Sequence, residues 1–183
     1  MVSDRFVVLS GCSGGGKSTL LAELARRGYS VVDEPGRRIV REETARGGRA
    51  LPWVDPEAFL RRAVEMAMDD RRRAETMAGW VFFDRGLFDA ISGLTDMTGE
   101  PALQELGRKY RYHSTAFVTP PWPEIYETDA ERKHGLAQAE AEYRRLVRDY
   151  QLFDYAVLEV PKRSVADRAD WILAQLPASP PAR

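Results

Sequence analysis

Cysteine is almost absent. Cys12 stands alone among 183 residues, and the two histidines, His113 and His134, are isolated from it and from each other. One thiol excludes an intrachain disulfide, and these three side chains have none of the spacings of a zinc site. A charge surplus is lacking too. Lys and Arg total 27 against 28 Asp and Glu, a net charge of −1, so no basic field exists to hold nucleic acid non-specifically. No apolar run approaches the roughly 20 residues that cross a bilayer. No internal repeat appears, and the only biased stretch is Pro-rich, 177–183, expected as a tail. The remainder, 44% hydrophobic and 30% charged, has the composition of one globular domain, expected over 1–176. Met1 to Arg5 lead directly into an apolar segment. With the lone thiol, this sets the expectation of a cytoplasmic protein with neither membrane nor nucleic-acid partner.

What is present is concentrated at positions 11–18, Gly-Cys-Ser-Gly-Gly-Gly-Lys-Ser, which is G-x-x-x-x-G-K-[ST] with every position filled. Glycine there lets the backbone curl until consecutive N–H groups face one anion. Lys17 puts an ammonium on the β- and γ-phosphates, Ser18 offers a hydroxyl to Mg²⁺, and the following helix adds its positive end. The candidate nucleotide contacts are Gly11, Ser13, Gly14, Gly15, Gly16, Lys17, Ser18 and Thr19, and the implied ligands are ATP and Mg²⁺. The context agrees: an apolar run, 5–10, precedes the loop, and 19–27 has helical apolar spacing that stops at Gly28. Cys12 fills a variable position of the loop and reads as a tolerated residue rather than a redox switch.

The rest of the chain alternates. Strands are expected at 29–33, 80–84, 114–119 and 155–160, with helices over 36–45, 56–78, 87–97, 101–110, about 130–150 and 165–176. Five strands separated by helices predict an α/β fold with a parallel sheet covered on both faces. Ligands should gather at the C-terminal strand ends.

Three further groups sit there. Asp84 ends an apolar strand, where a Mg²⁺-organising carboxylate belongs, so Ser18 and Asp84 are the candidate metal residues. The next residue is Arg85 and not the second acid of many ATP-hydrolysing machines. Asp33 and Glu34 follow the second expected strand and are placed to take a proton from an acceptor hydroxyl or to grip a sugar, or simply to cap a helix. Arg37 and Arg38 suit a phosphate or carboxylate on that acceptor. Asp129 to Lys133 open a helix after a Pro-rich hinge. There Arg132 is the candidate cation of a lid spanning 120–148, with a solvated helix start capped by Asp129 as the plain alternative.

Together these residues resemble the small P-loop kinase-like ATP-binding family, in the branch that includes nicotinamide riboside kinase-type domains and AAA-labelled proteins. The motifs that carry the resemblance are Gly11 to Ser18, Glu34 to Arg37, Val81 to Asp84, Tyr110 to Tyr112, Pro121-Trp122 and Asp129 to Arg132. Glu34-Pro35 and Asp84-Arg85 are similar, more loosely, to pairs in thymidylate and deoxynucleoside kinases, though the residues after both pairs depart from the thymidylate pattern. The resemblance implies a three-layer α/β/α P-loop fold with five parallel strands in the order 2-3-1-4-5. It also implies phosphoryl transfer to a small nucleoside, nucleotide or related metabolite. Lys17, Arg85 and Arg132 would then neutralise the transferring charge, with Asp84 at the metal and Glu34 as base. The alternative is a P-loop ATPase or nucleotide-binding regulator without a small-molecule acceptor. A guanine-reading Asn-Lys-x-Asp and an ABC-transporter signature are both missing.

Overall fold

The computed structural model describes residues 4–125 and 136–180. The first apolar run forms β1 (Phe6–Gly11), and the phosphate-loop motif leads into α1 (Lys17–Arg26). There follow β2 (Ser30–Val32), α2 (Pro35–Arg46), α3 (Pro56–Ala74), β3 (Val81–Asp84), α4 (Leu87–Thr98) and α5 (Pro101–Lys109). The chain continues with β4 (Thr115–Thr119), a 3₁₀ turn (Pro123–Ile125), α6 (Leu136–Leu152), β5 (Ala156–Glu159) and α7 (Val165–Ala174). The five strands are parallel and lie in the order β2-β3-β1-β4-β5, as the resemblance implies. Residues 126–135 lie outside the described residues, and with them Asp129, Arg132 and the middle of the expected lid.

Alternation along the strands builds the layers. Phe6 and Val8 of β1, with Phe83 of β3, face a core closed by Leu87, Ile91 and Leu94 of α4 and Leu146 and Tyr150 of α6. Val7, Leu9, Phe82 and Phe117 face the opposite way, onto Leu20, Leu21 and Leu24 of α1 and Ala169 and Ile172 of α7. Strands buried on both faces read as continuous apolar runs, and β1 and β3 are buried throughout.

Most described boundaries fall within two residues of expectation, and α3 differs more. The helix expected to reach residue 78 stops at Ala74. Arg5 explains this. Its guanidinium donates to the carbonyls of Ala74 at 3.0 Å, Glu75 at 3.0 Å and Met77 at 2.7 Å. Carbonyls at and just beyond the end of α3 thus bind a side chain from another segment instead of continuing the helix.

Candidate functional site

The register fixes the phosphate loop before any ligand arrives. Gly11 pairs with Thr119 at the end of β1 and β4, and Cys12 donates its N–H to the Thr119 carbonyl at 2.9 Å. Gly11 has φ 107°, and a Cβ there would lie 2.4 Å from the Thr119 oxygen. Only glycine permits both the left-handed turn and the approach of the two strands. Gly16, at φ 73°, then turns the chain into α1.

Lys17 is buried, and its Nζ donates to the carbonyl of Cys12 at 2.8 Å and reaches Gly11 at 3.4 Å. Burial and the neighbouring charge of Arg85 lower its pKa, against the pull of Asp84, Glu34 and Glu142. Ser18 Oγ lies 3.5 Å from Asp84 Oδ2. Asp84 is 6% exposed, and its Oδ1 is buried with no hydrogen-bond partner among the described residues. Burial, then the charge of Glu34, pushes this carboxyl up to about 6, although Lys17 and Arg85 pull it down. A buried carboxylate with an orphaned oxygen beside a hydroxyl fits Mg²⁺, which takes few protein ligands and completes its shell with water and phosphate oxygens. Cys12 is fully buried, and burial raises its thiol above the usual value despite Lys17, which is the environment of an inert cysteine.

Arg85 stands in the left-handed region at φ 55°, an uncommon conformation for a residue with a side chain. Its Nη1 donates to Glu142 Oε1 at 2.6 Å, its Nη2 reaches the Gly11 carbonyl at 3.3 Å, and its Nε lies 3.5 Å from Glu34 Oε1. Glu34 also accepts from Arg37 Nε at 3.0 Å. The backbone turn after β3 thus delivers one guanidinium between two carboxylates that come from α6 and from the end of β2.

Two cavities meet at this cluster. The larger, 540 Å³, runs along the phosphate loop past Lys17, Ser18 and Thr19 to Trp122, Arg163 and Arg168. Its charged lining is Lys17, Arg37, Arg85, Arg163 and Arg168 against Glu34 and Glu124, a balance that favours a polyanion. The smaller, 170 Å³, has apolar walls from Val40, Phe59, Leu60, Ala63 and Ala90 and a polar floor that includes Asp89, Glu142 and Arg145. Both are lined by Ser13, Glu34, Arg37 and Arg85.

Of the residues expected from sequence, the loop, Glu34, Arg37, Asp84 and Arg85 are brought together. Asp33 and Arg38 line neither cavity: Asp33 is exposed, and Arg38 pairs with Asp70 of α3 at 2.7 Å. Arg132 lies outside the described residues. Sequence reasoning missed Glu142, Asp89 and Arg168. Glu142 had a signal, because it precedes Leu146 by four positions and so shares the apolar stripe of α6. Burial raises its carboxyl, but the charge and hydrogen bonds of Arg85 outweigh that and hold it below the ordinary value.

No helix among the described residues is long and apolar enough to cross a membrane. The fold matches solved kinases at low identity. A deoxyadenosine kinase from M. mycoides with bound dATP aligns over 93% of this chain and 98% of its own, with a TM-score of 0.64 and 13% identity. Shikimate kinase from Acinetobacter baumannii, solved with shikimate, aligns over 93% of this chain and 92% of its own, with a TM-score of 0.54 and 17% identity. In sequence, a nucleotide-binding protein of Granulibacter bethesdensis is 39% identical over 72 residues, which is 38% of this chain but only 22% of that protein. The AAA domain family model matches residues 6–168, nearly the whole of the described sheet and its helices. With an intact phosphate loop on a 2-3-1-4-5 parallel sheet, the chain belongs to the AAA domain family and carries the fold of small P-loop kinases.

Proposed function

We propose that this protein is an ATP-dependent kinase that phosphorylates a hydroxyl of a small molecule: a nucleoside, a nucleotide or a related metabolite. The observation that carries the reading is the 170 Å³ cavity beside the phosphate loop. Hydrolysis needs room only for water there, whereas apolar walls over a charged floor suit a ring-bearing body with hydroxyls. The structural neighbours, solved with dATP, with dCMP and dCDP, and with shikimate, accord with such an acceptor.

In this reading the ATP phosphates lie along the loop, and Lys17 leaves its carbonyl partners for the β- and γ-oxygens. Ser18 and Asp84 would hold Mg²⁺, which would supply neutralisation of the phosphate charge. Glu34 takes the proton from the acceptor hydroxyl as its oxygen bonds to the γ-phosphorus. The bond from that phosphorus to the β–γ bridging oxygen breaks, and ADP leaves with the electron pair. Arg37 and Arg85 hold Glu34 from two sides, and Arg85 adds its charge near the transferring group. Arg132 remains the proposed lid cation.

A panel of hydroxyl acceptors assayed by ADP release tests this. Glu34→Gln should lower transfer by about 10²–10⁴-fold while ATP affinity holds. Unchanged turnover in that variant removes Glu34 from the mechanism. ADP formation indifferent to every acceptor favours an ATPase or nucleotide-binding regulator.

A further inference from the structure

Helix α7 lies against the back of the phosphate loop and supplies a cation that the reaction scheme above does not use. Ser164 caps the helix by accepting from Asp167 N–H at 3.2 Å. One turn in, Arg168 is 2% exposed. Its Nη2 donates to the Gly15 carbonyl at 2.9 Å and its Nη1 to the Gly16 carbonyl at 3.3 Å. A Cβ on Gly16 would sit 2.7 Å from Nη1, so the missing side chain is what admits the guanidinium. Its flank rests over the Trp122 ring, 5.4 Å from the centroid. The Nε is buried and has no hydrogen-bond partner among the described residues, and no carboxylate among them pairs with this arginine.

A buried cation held only by neutral carbonyls is costly, because desolvation is not offset by an opposite charge. Two features show what the arrangement achieves. Every described peptide bond is trans, so a carbonyl and the N–H of the same peptide unit point in opposite directions. The Gly16 carbonyl is also the first acceptor of α1, taking the Leu20 N–H at 3.3 Å and the Thr19 hydroxyl at 2.9 Å, but the Gly15 carbonyl is held by Arg168, which turns the Gly16 N–H of the same peptide unit away from that guanidinium. Arg168 itself lines that cavity, where a polyphosphate brings the missing negative charge.

We infer that Arg168 is a positioning residue for the donor phosphates: it sets the orientation of the phosphate-loop amide between Gly15 and Gly16 and is charge-compensated only when a polyphosphate is bound. The inference rests on the reading that the loop binds a nucleoside triphosphate. It differs from a base contact, since the group oriented belongs to the phosphate cradle.

The test uses the full chain with Arg168→Met, which keeps the stem, and Arg168→Lys, which keeps the charge but can reach one carbonyl. Calorimetric titration with ATP and with inorganic triphosphate, each with Mg²⁺, should give Kd values raised about tenfold or more by Arg168→Met. The factor should be the same for both ligands, and Arg168→Lys should recover part of the loss. Thermal melting of the unliganded variants reports folding, and if Arg168→Met does not fold, Arg168→Lys carries the comparison. A lowered Tm with unchanged affinities assigns Arg168 to packing and overturns the proposal. So does a loss confined to ATP, which would make it a base contact acting with Trp122. A wild-type chain that binds neither ligand removes the donor reading itself, a result distinct from either.

Discussion

Asp84 shows how one buried carboxyl ties the stability of the chain to pH. Its pKa is pushed up to about 6, by burial first and by Glu34 second, above the ordinary aspartate range. In the metal-free protein the folded state thus holds this proton more tightly than the unfolded state does. The sign follows from linkage. The contribution of Asp84 is most favourable below about pH 4, declines as pH rises from 4 to 6, and is an unrelieved penalty above that window. With chelator present, Asp84→Asn should therefore melt higher than the wild type at pH 7.5, and the gap should close by about pH 4. On the proposed reading, Mg²⁺ added with ATP should stabilise the wild type further, and the same variant should lose that increment. A wild type that melts as high as the variant at pH 7.5 would refute the penalty. Asp84 was legible in sequence because it ends an apolar strand, and Glu34 because it opens the turn after β2 with a Glu-Pro pair similar to that of deoxynucleoside kinases. Arg38 could not be told from Arg37, because adjacent side chains diverge: at about 100° per residue on α2, Arg38 swings from the cavity to Asp70 while Arg37 reaches Glu34.

Elements meet at Asp89, and their meeting was not readable from any one of them. This carboxylate caps its own helix by accepting from Gly86 N–H at 2.9 Å. It also accepts from Ser10 Oγ of β1 and, at 2.8 Å, from Tyr150 Oη of α6. Three elements are thus tied at a residue that is 7% exposed and forms part of the floor of the smaller cavity. Asp89→Ala should lower the unfolding free energy by about 3 kcal/mol, since it strands two buried hydroxyls and an N–H. Tyr150→Phe should cost about 1 kcal/mol, and the double variant should fall short of the sum because the partners are shared. Urea unfolding measures all three, and strict additivity would show that the contacts are independent. The helices at α4 and α6 were expected from sequence. That expectation did not give Asp89 or Glu142 as site groups, because their partners come from elements about 60 to 80 positions away, and only the sheet order brings these together.

At the scale of the whole molecule, the order β2-β3-β1-β4-β5 does most of the work. It places the end of β1, which carries the phosphate loop, between the ends of β3 and β4. It therefore sets Asp84 and Thr119 on either side of Gly11, and Glu34 one strand further along. The phosphate loop was legible because its contacts are contiguous in sequence. The smaller cavity was not, because α2, α3, α4 and α6 each contribute one wall to it. The four residues shared by both cavities have a consequence for binding. If Ser13, Glu34, Arg37 and Arg85 adjust to one ligand, the other ligand meets a site already ordered, and the coupling must be reciprocal. ATP with Mg²⁺ at about 100 times its Kd should raise Tm by about 5–10 °C. The hydroxyl compound that proves to be phosphorylated should raise Tm more in the presence of ADP and Mg²⁺ than it does alone, by an excess equivalent to about 1–3 kcal/mol of coupling. Thermal shifts measured with each ligand singly and with both together decide this. Strictly additive shifts would mean that the shared cluster is rigid and the two cavities respond independently. An acceptor that stabilises the chain only when donor nucleotide is present would place the ordering of the Arg85 cluster on the donor side.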